Sequence, residues 1–314
     1  MATKDPRGRA RPAAAPKSPA APGSPAGALR LSGVTVERSG RTILHPLDWE
    51  VGPHDRWVVL GPNGSGKTTL LQVAGARLRP SRGCVSIVGE RVGRCDLRTV
   101  RARVALVSAA TVRLIRPDLT VHQVVVSGRD GALSPFWHRY ADEDWAAAAH
   151  SLSRVLGSEE APPLDTPFGV LSEGERQQVL IARSLMCSPE LVLFDEPAAG
   201  LDLGARERLA VQLGSLAADP EVPAVVLVTH HLEEVPPGFT HAMLLRGGRL
   251  LAAGRLEEVL TGALVSACFG VGVEVERRKG RWWARAAPHA DGASRTAPAR
   301  SPRSTATCGG HRSS

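Results

Sequence analysis

An eight-residue segment constrains the fold of this chain more than any other feature of its sequence. Residues 61–68 read GPNGSGKT and match the pattern G-x-x-x-x-G-K-[ST]. An apolar run at residues 57–60 precedes the segment, and a helical pattern at residues 67–78 follows it. Glycines in such a loop let backbone N–H groups turn inward around phosphate oxygens, and the helix N-terminus adds its positive end. The segment therefore predicts a phosphate-binding loop between a strand and a helix.

The use of lysine supports this interpretation. The chain contains 35 arginines and 4 lysines, and Lys67 is the only lysine between residues 29 and 276. A compact ammonium fits a phosphate cradle in which a bulky guanidinium would not. We expect Lys67 to reach the β- and γ-phosphates of a nucleotide and the Thr68 hydroxyl to bind Mg²⁺.

A second apolar run ends in two adjacent acids. Residues 191–194 read LVLF and are followed by Asp195, Glu196 and Pro197. Strand alternation sends the two acidic side chains in different directions, so they can have different roles. Asp195 is a candidate ligand in the Mg²⁺ shell, and Glu196 is a candidate base that polarises an attacking water. Alone, the pair would be explained as exposed acids at a strand end, but behind a phosphate loop it indicates catalysis.

The segment LSEGE at residues 171–175 begins a further helix and is followed by an apolar stripe. Ser172 and Glu175 fit the S-x-x-E capping box, which satisfies backbone N–H groups of the first turn. For the segment by itself, this structural explanation is as good as a functional one. Its position just upstream of the strand at 191–194 favours the functional one.

Charge and composition exclude several classes of protein. The formal charge is +8, but residues 1–28 carry +4 and residues 277–314 carry +8, which leaves −4 for residues 29–276. The interior therefore has no basic footprint for nucleic acid, and no nucleic-acid partner is expected. The longest charge-free apolar stretch, residues 259–273, is shorter than the roughly 20 residues of a spanning helix. Because this stretch is too short to span a membrane, we do not expect a membrane channel. Because the N-terminus has no apolar segment, we do not expect a secretory signal.

Cysteine usage indicates the redox compartment. The five cysteines are odd in number and form no C-x-x-C pair, and no histidine cluster has the spacing of metal ligands. This pattern favours a reduced, cytoplasmic chain without structural zinc.

The interior of the chain alternates short strand patterns with helical ones. Strands are predicted at residues 34–36, 43–51, 57–60, 85–88, 104–107, 191–194 and 225–228, and a hairpin at 243–252 turns at Gly247-Gly248. Residues 117–170 are predicted to be helical, with acids at 142–144 opening one helix and Gly157 ending it. Further helices are predicted from Ser172 and at 205–216, and a small C-terminal hairpin near 271–283. This alternation implies a mainly parallel α/β sheet with one inserted helical subdomain.

Five motifs occur in a fixed order along the chain. They are the phosphate loop at 61–68, LSEGE at 171–175, LVLFDEP at 191–197, AGLD at 199–202 and THH at 229–231. With these motifs the chain resembles the nucleotide-binding subunit of an ABC transporter over about residues 29–262. Within that family it is most similar to stand-alone ATPase subunits of the molybdate and iron-complex import type.

The resemblance implies a fold class and a domain organisation. The fold would be α/β, a P-loop NTPase with a mainly parallel core sheet, an N-terminal antiparallel β subdomain and an inserted α-helical subdomain. The ATPase domain would span residues 29–285, with the helical subdomain at about 117–170 and a small C-terminal β extension at about 263–285. Residues 1–28 and 286–314, which are rich in Ala, Pro and Arg or otherwise polar and basic, are predicted to be disordered tails.

The resemblance also implies a site shared by two protomers. It predicts a head-to-tail homodimer, or a pair of such ATPases, with two molecules of ATP and Mg²⁺ buried between them. Ser172 and Gly174 of one subunit would cover the γ-phosphate held by the other, and Asp202 would contact the partner. His230 would be a switch histidine at the γ-phosphate, catalytic together with Glu196. The residues expected to hold the triphosphate are Gly61, Pro62, Asn63, Gly64, Ser65, Gly66, Lys67, Thr68 and Thr69, with Thr68 and Asp195 as metal ligands.

Three positions depart from the family pattern. Arg38 stands where an aromatic residue usually stacks on adenine. Ala109 stands where the family usually has a glutamine that senses Mg²⁺ and couples to the membrane partner, so that coupling would be rewired or carried by neighbours such as Arg113. LSEGE replaces the commoner LSGGQ, and we expect Glu173 and Glu175 to point outward, away from a γ-phosphate.

Two functions remain open at this point. The first is an ATP-binding and hydrolysing subunit that drives a separate transmembrane permease from the inner face of the plasma membrane. Its helical insertion would be the docking face, with Phe136, Trp137, Tyr140 and Trp145 either as anchors or as ordinary core residues. The second is a soluble, ATP-gated regulatory or binding module without a membrane partner, which Ala109 favours slightly. A nucleotide kinase would leave LSEGE and His230 unexplained.

Overall fold

The computed structural model describes residues 27–135, 140–156 and 161–287. Its strands are β1 (Leu29–Arg38), β2 (Arg41–Val51), β3 (Arg56–Leu60), β4 (Arg82–Ile87), β5 (Glu90–Arg91), β6 (Val104–Ser108), β7 (Leu191–Asp195), β8 (Ala224–Thr229), β9 (His241–Arg246), β10 (Arg249–Arg255), β11 (Val273–Arg278) and β12 (Arg281–Ala286). Its α-helices are α1 (Lys67–Ala74), α2 (Leu97–Ala102), α3 (Ala109–Val112), α4 (Val121–Val126), α5 (Asp142–Leu156), α6 (Glu173–Leu185), α7 (Leu203–Ala218), α8 (Leu256–Val259) and α9 (Gly262–Phe269).

The central sheet has six strands in the order β10-β9-β3-β8-β7-β6. Every neighbouring pair from β9 to β6 is parallel, and β10 pairs with β9 in the antiparallel direction. The middle strands β3 and β8 are buried at every residue, as expected for parallel strands covered on both faces. The mainly parallel core sheet is therefore confirmed. The predicted turn is confirmed as well, because Gly247 and Gly248 join β9 to β10 with φ values of +53° and +73°.

Alternation along β7 shows how the two faces of this sheet are covered. Leu191 and Leu193 belong to a buried cluster with α1 and the strands β1, β2 and β4. Those strands form, with β5, a separate antiparallel sheet in the order β2-β1-β4-β5. Val192 and Phe194 belong to the opposite cluster, with residues of α4, α5, α6 and α7. The antiparallel β layer and the helical layer thus lie on opposite faces of the parallel sheet.

The helical layer follows its capping signals. Helix α4 begins with a capping box between Thr120 and Gln123, and α5 begins with the three acids at 142–144. The predicted end of α5 at Gly157 lies outside the described residues. Helices α4, α5 and α6 pack against one another.

The aromatic residues of this layer are only partly described. Trp145 lies edge-on to Tyr140 and to His122, with ring centroids 5.8 Å and 4.7 Å apart. Both Trp145 and Tyr140 pack against the buried core. These two rings therefore contribute to core packing, whereas Phe136 and Trp137 lie outside the described residues.

Some element boundaries differ from the prediction. Helix α1 ends at Ala74 rather than near residue 78, because Gly75 caps it and Ala76 adopts φ +54°. Helices α2, α3, α8 and α9 were not predicted. Near the C-terminus, β11 and β12 form the predicted antiparallel hairpin.

Two further observations concern the described part of the chain. None of its helices is long and apolar enough to cross a membrane. Cys84, Cys95, Cys187 and Cys268 carry free thiols, and Cys308 lies outside the described residues.

Candidate functional site

The topology of the sheet brings three loops to one edge. The phosphate loop follows β3, the paired acids end β7, and His230 follows β8. In the sheet Leu60 lies opposite Thr229, and Asp195 lies opposite Val228. Because neighbouring parallel strands end at the same edge, three motifs that are distant in sequence meet there.

The phosphate loop is fixed by backbone contacts with the β9–β10 hairpin. A Cβ atom at Gly61 would lie 2.1 Å from the carbonyl oxygen of Leu245 in β9, so only glycine fits at this position. Gly66, the residue before α1, has φ +98°, which also favours glycine. The N–H of Gly248 donates to the carbonyl oxygen of Ser65 at 3.0 Å. Gly248 was predicted only as a turn residue, and its support of the phosphate loop was not predicted.

Lys67 is almost completely buried at the start of α1. Its side chain is 5% exposed, and Nζ donates to the carbonyl oxygens of Gly61 at 2.8 Å and Pro62 at 3.1 Å. The adjacent Ser65 hydroxyl is buried and has no hydrogen-bond partner in the described part of the chain. A buried ammonium beside an unsatisfied hydroxyl fits a loop that binds phosphate oxygens.

Thr68 and Asp195 lie side by side. Thr68 Oγ1 donates to Asp195 Oδ1 at 3.3 Å. Burial raises the pKa of Asp195, and the charge of Glu196 adds to this, while the Thr68 hydrogen bond and Lys67 lower the pKa. Hydroxyl and carboxylate oxygens are ligands that Mg²⁺ prefers, and a cation would offset the cost of burying this carboxylate.

The donor set also limits how a metal would be held. Within the described residues, no group of three or more His, Cys, Asp or Glu side chains could hold a metal ion. Mg²⁺ usually keeps several waters and is bound by one or two protein ligands together with substrate phosphates. The Thr68–Asp195 pair fits that type of site.

Glu196 lies on the turn that follows β7. Its φ of +48° is left-handed, a conformation that costs a residue other than glycine about 1–2 kcal/mol. Its Oε1 lies 3.5 Å from Lys67 Nζ and 3.3 Å from His230 Nδ1. Strand β7 ends at Asp195, so Glu196 lies outside the strand and strand alternation does not apply to it. The turn gives Glu196 partners that differ from those of Asp195. Strained backbone of this kind concentrates at functional sites.

The loop after His230 is fixed by a buried hydrogen bond. Thr229 Oγ1 donates to Glu234 Oε2, and the N–H of His231 donates to Thr229 Oγ1 at 3.1 Å. Thr229 and Glu234 are both buried. The His231 ring is tilted against the His230 ring, with centroids 4.1 Å apart. Thr229 and Glu234 therefore shape the switch loop, a role that was not predicted from the sequence.

The start of α6 corrects one expectation. The N–H and the hydroxyl of Ser172 both donate to Glu175 Oε2, at 2.8 Å and 2.7 Å, and the N–H of Glu175 donates to Ser172 Oγ at 3.3 Å. The expectation that Glu175 points outward is therefore wrong, because its carboxylate folds back to satisfy donors of the first helical turn. Glu173 is exposed.

Ser172, Gly174 and Asp202 form a second group of predicted site residues. Asp202 caps α7, because its Oδ1 accepts from the N–H of Ala205 at 2.7 Å. A Cβ atom at Gly174 would lie 3.0 Å from that of Ala205, so the starts of α6 and α7 lie against each other. The structure thus unites the phosphate loop, the strand-end acids and His230 in one group and these three residues in another.

The two other departures from the family pattern are at element ends. Arg38 is the last residue of β1 and is exposed. Ala109 is the first residue of α3. Beside it, the hydroxyls of Ser108 and Thr111 lie 3.3 Å apart. Ser108 and Thr111 line a cleft of about 540 Å³ that is also lined by Thr68 and Asp195. This proximity was not predicted from the sequence.

A glycine loop between strand and helix, its lysine, and two strand-end acids define the class of P-loop nucleoside triphosphatases. Residues 44–199 match the ABC transporter family. The chain is 34% identical over 248 residues to the uncharacterized ABC transporter ATP-binding protein YlmA of Bacillus subtilis, which covers 79% of this chain and 92% of the relative. It is 34% identical over 261 residues to the hemin import ATP-binding protein HmuV of Streptomyces coelicolor, which covers 83% and 89%.

A solved structure shows the same fold. It is cbiO1 from Clostridium perfringens, part of the ABC transporter complex cbiONQ, with a TM-score of 0.65 and 22% identity over 77% of this chain and 93% of that chain. The chain belongs to the ATP-binding proteins of the ABC transporter family. It is accordingly a nucleotide-binding ATPase.

Proposed function

We propose that this chain hydrolyses Mg-ATP to drive a separate membrane permease, and that residues 29–285 form its ATPase domain. The observation that carries the proposal is the cluster of Lys67, Glu196 and His230, in which Glu196 Oε1 lies 3.5 Å from Lys67 Nζ and 3.3 Å from His230 Nδ1. Beside it, Thr68 and Asp195 present the oxygen pair expected of magnesium ligands. Both clusters border the phosphate loop at the edge of the parallel sheet.

In this proposal each residue has a distinct task. The amides from Gly61 to Thr69 and the ammonium of Lys67 bind the triphosphate. Thr68 and Asp195 hold Mg²⁺, which supplies positive charge to the phosphate oxygens. Glu196 takes the proton from an attacking water, a step worth about 10²–10⁴-fold for a positioned base. His230, held next to Glu196, orients the γ-phosphate.

The second group of residues supports a head-to-tail dimer. Ser172 and Gly174 lie at the N-terminus of α6, where backbone N–H groups and the helix dipole favour an anion. In the proposed dimer this helix start covers the γ-phosphate bound by the partner, and Asp202 contacts that partner. The two groups would then form a complete site only when two protomers meet.

The direction of transport is proposed from the relatives. HmuV of Streptomyces coelicolor is named a hemin import protein, and other relatives are named for cobalamin and phosphonate import. The hemin and cobalamin names support import of a metal-containing complex, whereas the phosphonate name supports import of an oxyanion, the class to which molybdate belongs. The chain would then work on the cytoplasmic face of the plasma membrane. A regulatory module without a permease is the second candidate, and Ala109 in place of the coupling glutamine favours it.

One experiment separates the two candidates. Glu196→Gln protein with Mg-ATP is used to capture partners from detergent-solubilised membranes of the native organism. We expect a polytopic membrane protein in stoichiometric amount, and its loss when Lys67→Ala is added. A homodimer alone, or a soluble partner, would favour the regulatory module.

A further inference from the structure

The C-terminal hairpin contacts the switch loop directly. Arg281, the first residue of β12, donates from Nη1 to Glu207 Oε2 at 2.9 Å and from Nη2 to Glu207 Oε1 at 3.2 Å. The same Nη2 donates to the backbone carbonyl oxygen of Glu233 at 2.7 Å. One guanidinium therefore joins helix α7 to the loop that follows His230. A bidentate contact of this kind fixes the relative orientation of the two side chains as well as the distance between them.

A second contact holds the same turn of the loop. The N–H of Ala284 in β12 donates to Glu233 Oε1 at 3.3 Å. Glu233 thus meets the hairpin through both its backbone and its side chain. The next residue, Glu234, accepts from Thr229 and lies 3.6 Å from Arg206 of α7. The loop is therefore held from the hairpin, from α7 and from the end of β8, within four residues of His230.

The hairpin itself is anchored firmly enough to act as a support. Trp282, next to Arg281, is 8% exposed and packs in the main core cluster. The guanidinium of Arg277 lies 5.5 Å from the centroid of the Trp282 ring. The Arg281 side chain is 17% exposed and that of Glu207 is 45% exposed, so the pair is partly shielded from solvent. Charge-assisted hydrogen bonds in such a setting restrict motion more than exposed ion pairs do.

Arg285, four residues further along β12 and on the same face of that strand as Arg281, provides an internal comparison. Arg285 pairs with Glu274 and Glu276 on the solvent side and is 66% exposed. Its contacts stay within the hairpin. Arg281 and Arg285 therefore belong to the same strand and carry the same charge, but only Arg281 bonds to α7 and to the switch loop.

We propose that Arg281 is a positioning residue for ATP hydrolysis, which holds the switch loop so that His230 stays beside Glu196. The inference rests on the proposed role of His230 at the γ-phosphate. Because Glu207 lies on the helix that Asp202 caps, Arg281 also ties the switch loop to the proposed dimer-contact residue. The C-terminal hairpin is then part of the hydrolytic apparatus through its contacts with the switch loop and α7.

The test compares Arg281→Ala with Arg285→Ala in steady-state ATPase assays. We expect Arg281→Ala to lower kcat about tenfold with KM for ATP changed less than about twofold, because the binding loop is untouched and only the catalytic geometry shifts. Arg285→Ala should leave both constants within about twofold. A kcat of Arg281→Ala equal to that of the parent would overturn the inference.

A double-mutant cycle separates positioning from mere structural support. In a His230→Ala background, measured by single-turnover phosphate release, Arg281→Ala should cause no further loss, because the group it positions is gone. The same fractional loss in both backgrounds would overturn the proposal. If Arg281→Ala does not fold, the same double-mutant cycle is measured with Arg281→Lys. Lysine keeps the positive charge but cannot make the bidentate contact of the guanidinium, and the same criterion applies. Full activity of His230→Ala alone would instead reject the proposed function of His230.

Discussion

The ammonium group of Lys67 lies 3.5 Å from Oε1 of Glu196. Lys67 is 5% exposed, so without nucleotide its charge is balanced mainly from within the protein. Lys67 Nζ donates its hydrogen bonds to the carbonyl oxygens of Gly61 and Pro62. We expect a bound phosphate to take over as the counter-charge of Lys67, which leaves the Glu196 carboxylate available to an attacking water.

Replacing Glu196 by Gln should separate binding from hydrolysis. The amide keeps the size of the side chain but cannot accept the proton, so phosphate release should fall about 10²–10⁴-fold. ATP affinity, measured by calorimetry, should be retained. Glu190→Gln is the control, since Glu190 pairs with Arg103 at the start of β7, at the opposite end of that strand from Glu196. Equal phosphate release by Glu196→Gln and the parent would refute Glu196 as the base.

Replacing Glu175 by Gln should strengthen ATP-driven dimerisation. Glutamine preserves the capping box with Ser172, so the free energy of unfolding should change by less than about 1 kcal/mol. It removes a negative charge from the helix start that we place against the partner's γ-phosphate. In a Glu196→Gln background, light scattering should show dimer at a lower ATP concentration. Glu143→Gln, in the first turn of α5, should have no such effect, and an unchanged or higher ATP requirement for Glu175→Gln would contradict the dimer geometry.

Alanine substitutions in the phosphate loop should differ in cost according to their surroundings. Gly61→Ala puts a methyl group 2.1 Å from the Leu245 carbonyl oxygen, and moving that backbone should cost about 2–4 kcal/mol and abolish ATP binding. Gly64 has φ +75° but no atom within 4 Å of a new Cβ, so Gly64→Ala should cost about 1–2 kcal/mol. Urea unfolding measures both values. A Gly64→Ala protein less stable than Gly61→Ala would show that the loop is not held by β9.

Acid should weaken one ion pair that joins the helical layer to the end of α7. The Arg154 guanidinium holds the pKa of Asp219 below its usual 3.8, with help from the N–H of Glu221. A lowered folded pKa means that the pair stabilises the protein above pH 3.8 and that this contribution is lost as pH falls through the folded value. Asp219→Asn should therefore cost about 0.5–1 kcal/mol at pH 7.

The pH dependence of that cost is the decisive measurement. Urea midpoints of Asp219→Asn and the parent should keep a constant difference from pH 7 to about pH 5 and converge below pH 3.8. In an Arg154→Ala background, Asp219→Asn should cost much less. A difference that does not vary with pH would mean that the charge of Asp219 contributes nothing to stability.

The parallel sheet and the phosphate loop were predictable because their signals are local. The apolar run at residues 57–60, followed directly by GPNGSGKT, predicts a strand, a loop and a helix within about twenty residues. The Gly247-Gly248 turn and the acidic start of α5 are local signals of the same kind. The meeting of His230 with Glu196 was implied by family resemblance and is explained by strand order, since β8 lies next to β7.

Other features depend on long-range contacts, or were misjudged although a local signal was present. Arg281 and Glu207 are 74 residues apart, and nothing in their neighbourhoods marks them as partners. Glu175 was expected to point outward because charge repulsion from a phosphate was considered, while in the structure two donors of Ser172 hold it. The end of α1 was misplaced because residues 75–78 suit a helix in hydrophobic pattern, although Gly75 and Ala76 stop it.

The carbonyl oxygen of Leu245 lies where a side chain of Gly61 would have to be, and this contact has a thermodynamic consequence. The loop acquires its shape as β9 pairs with β3 during folding, when the conformational entropy of its backbone is lost. The phosphate loop is therefore preorganised, and a nucleotide that binds need not order the loop backbone. We expect the affinity for a nucleotide to include little free-energy cost for ordering the loop backbone.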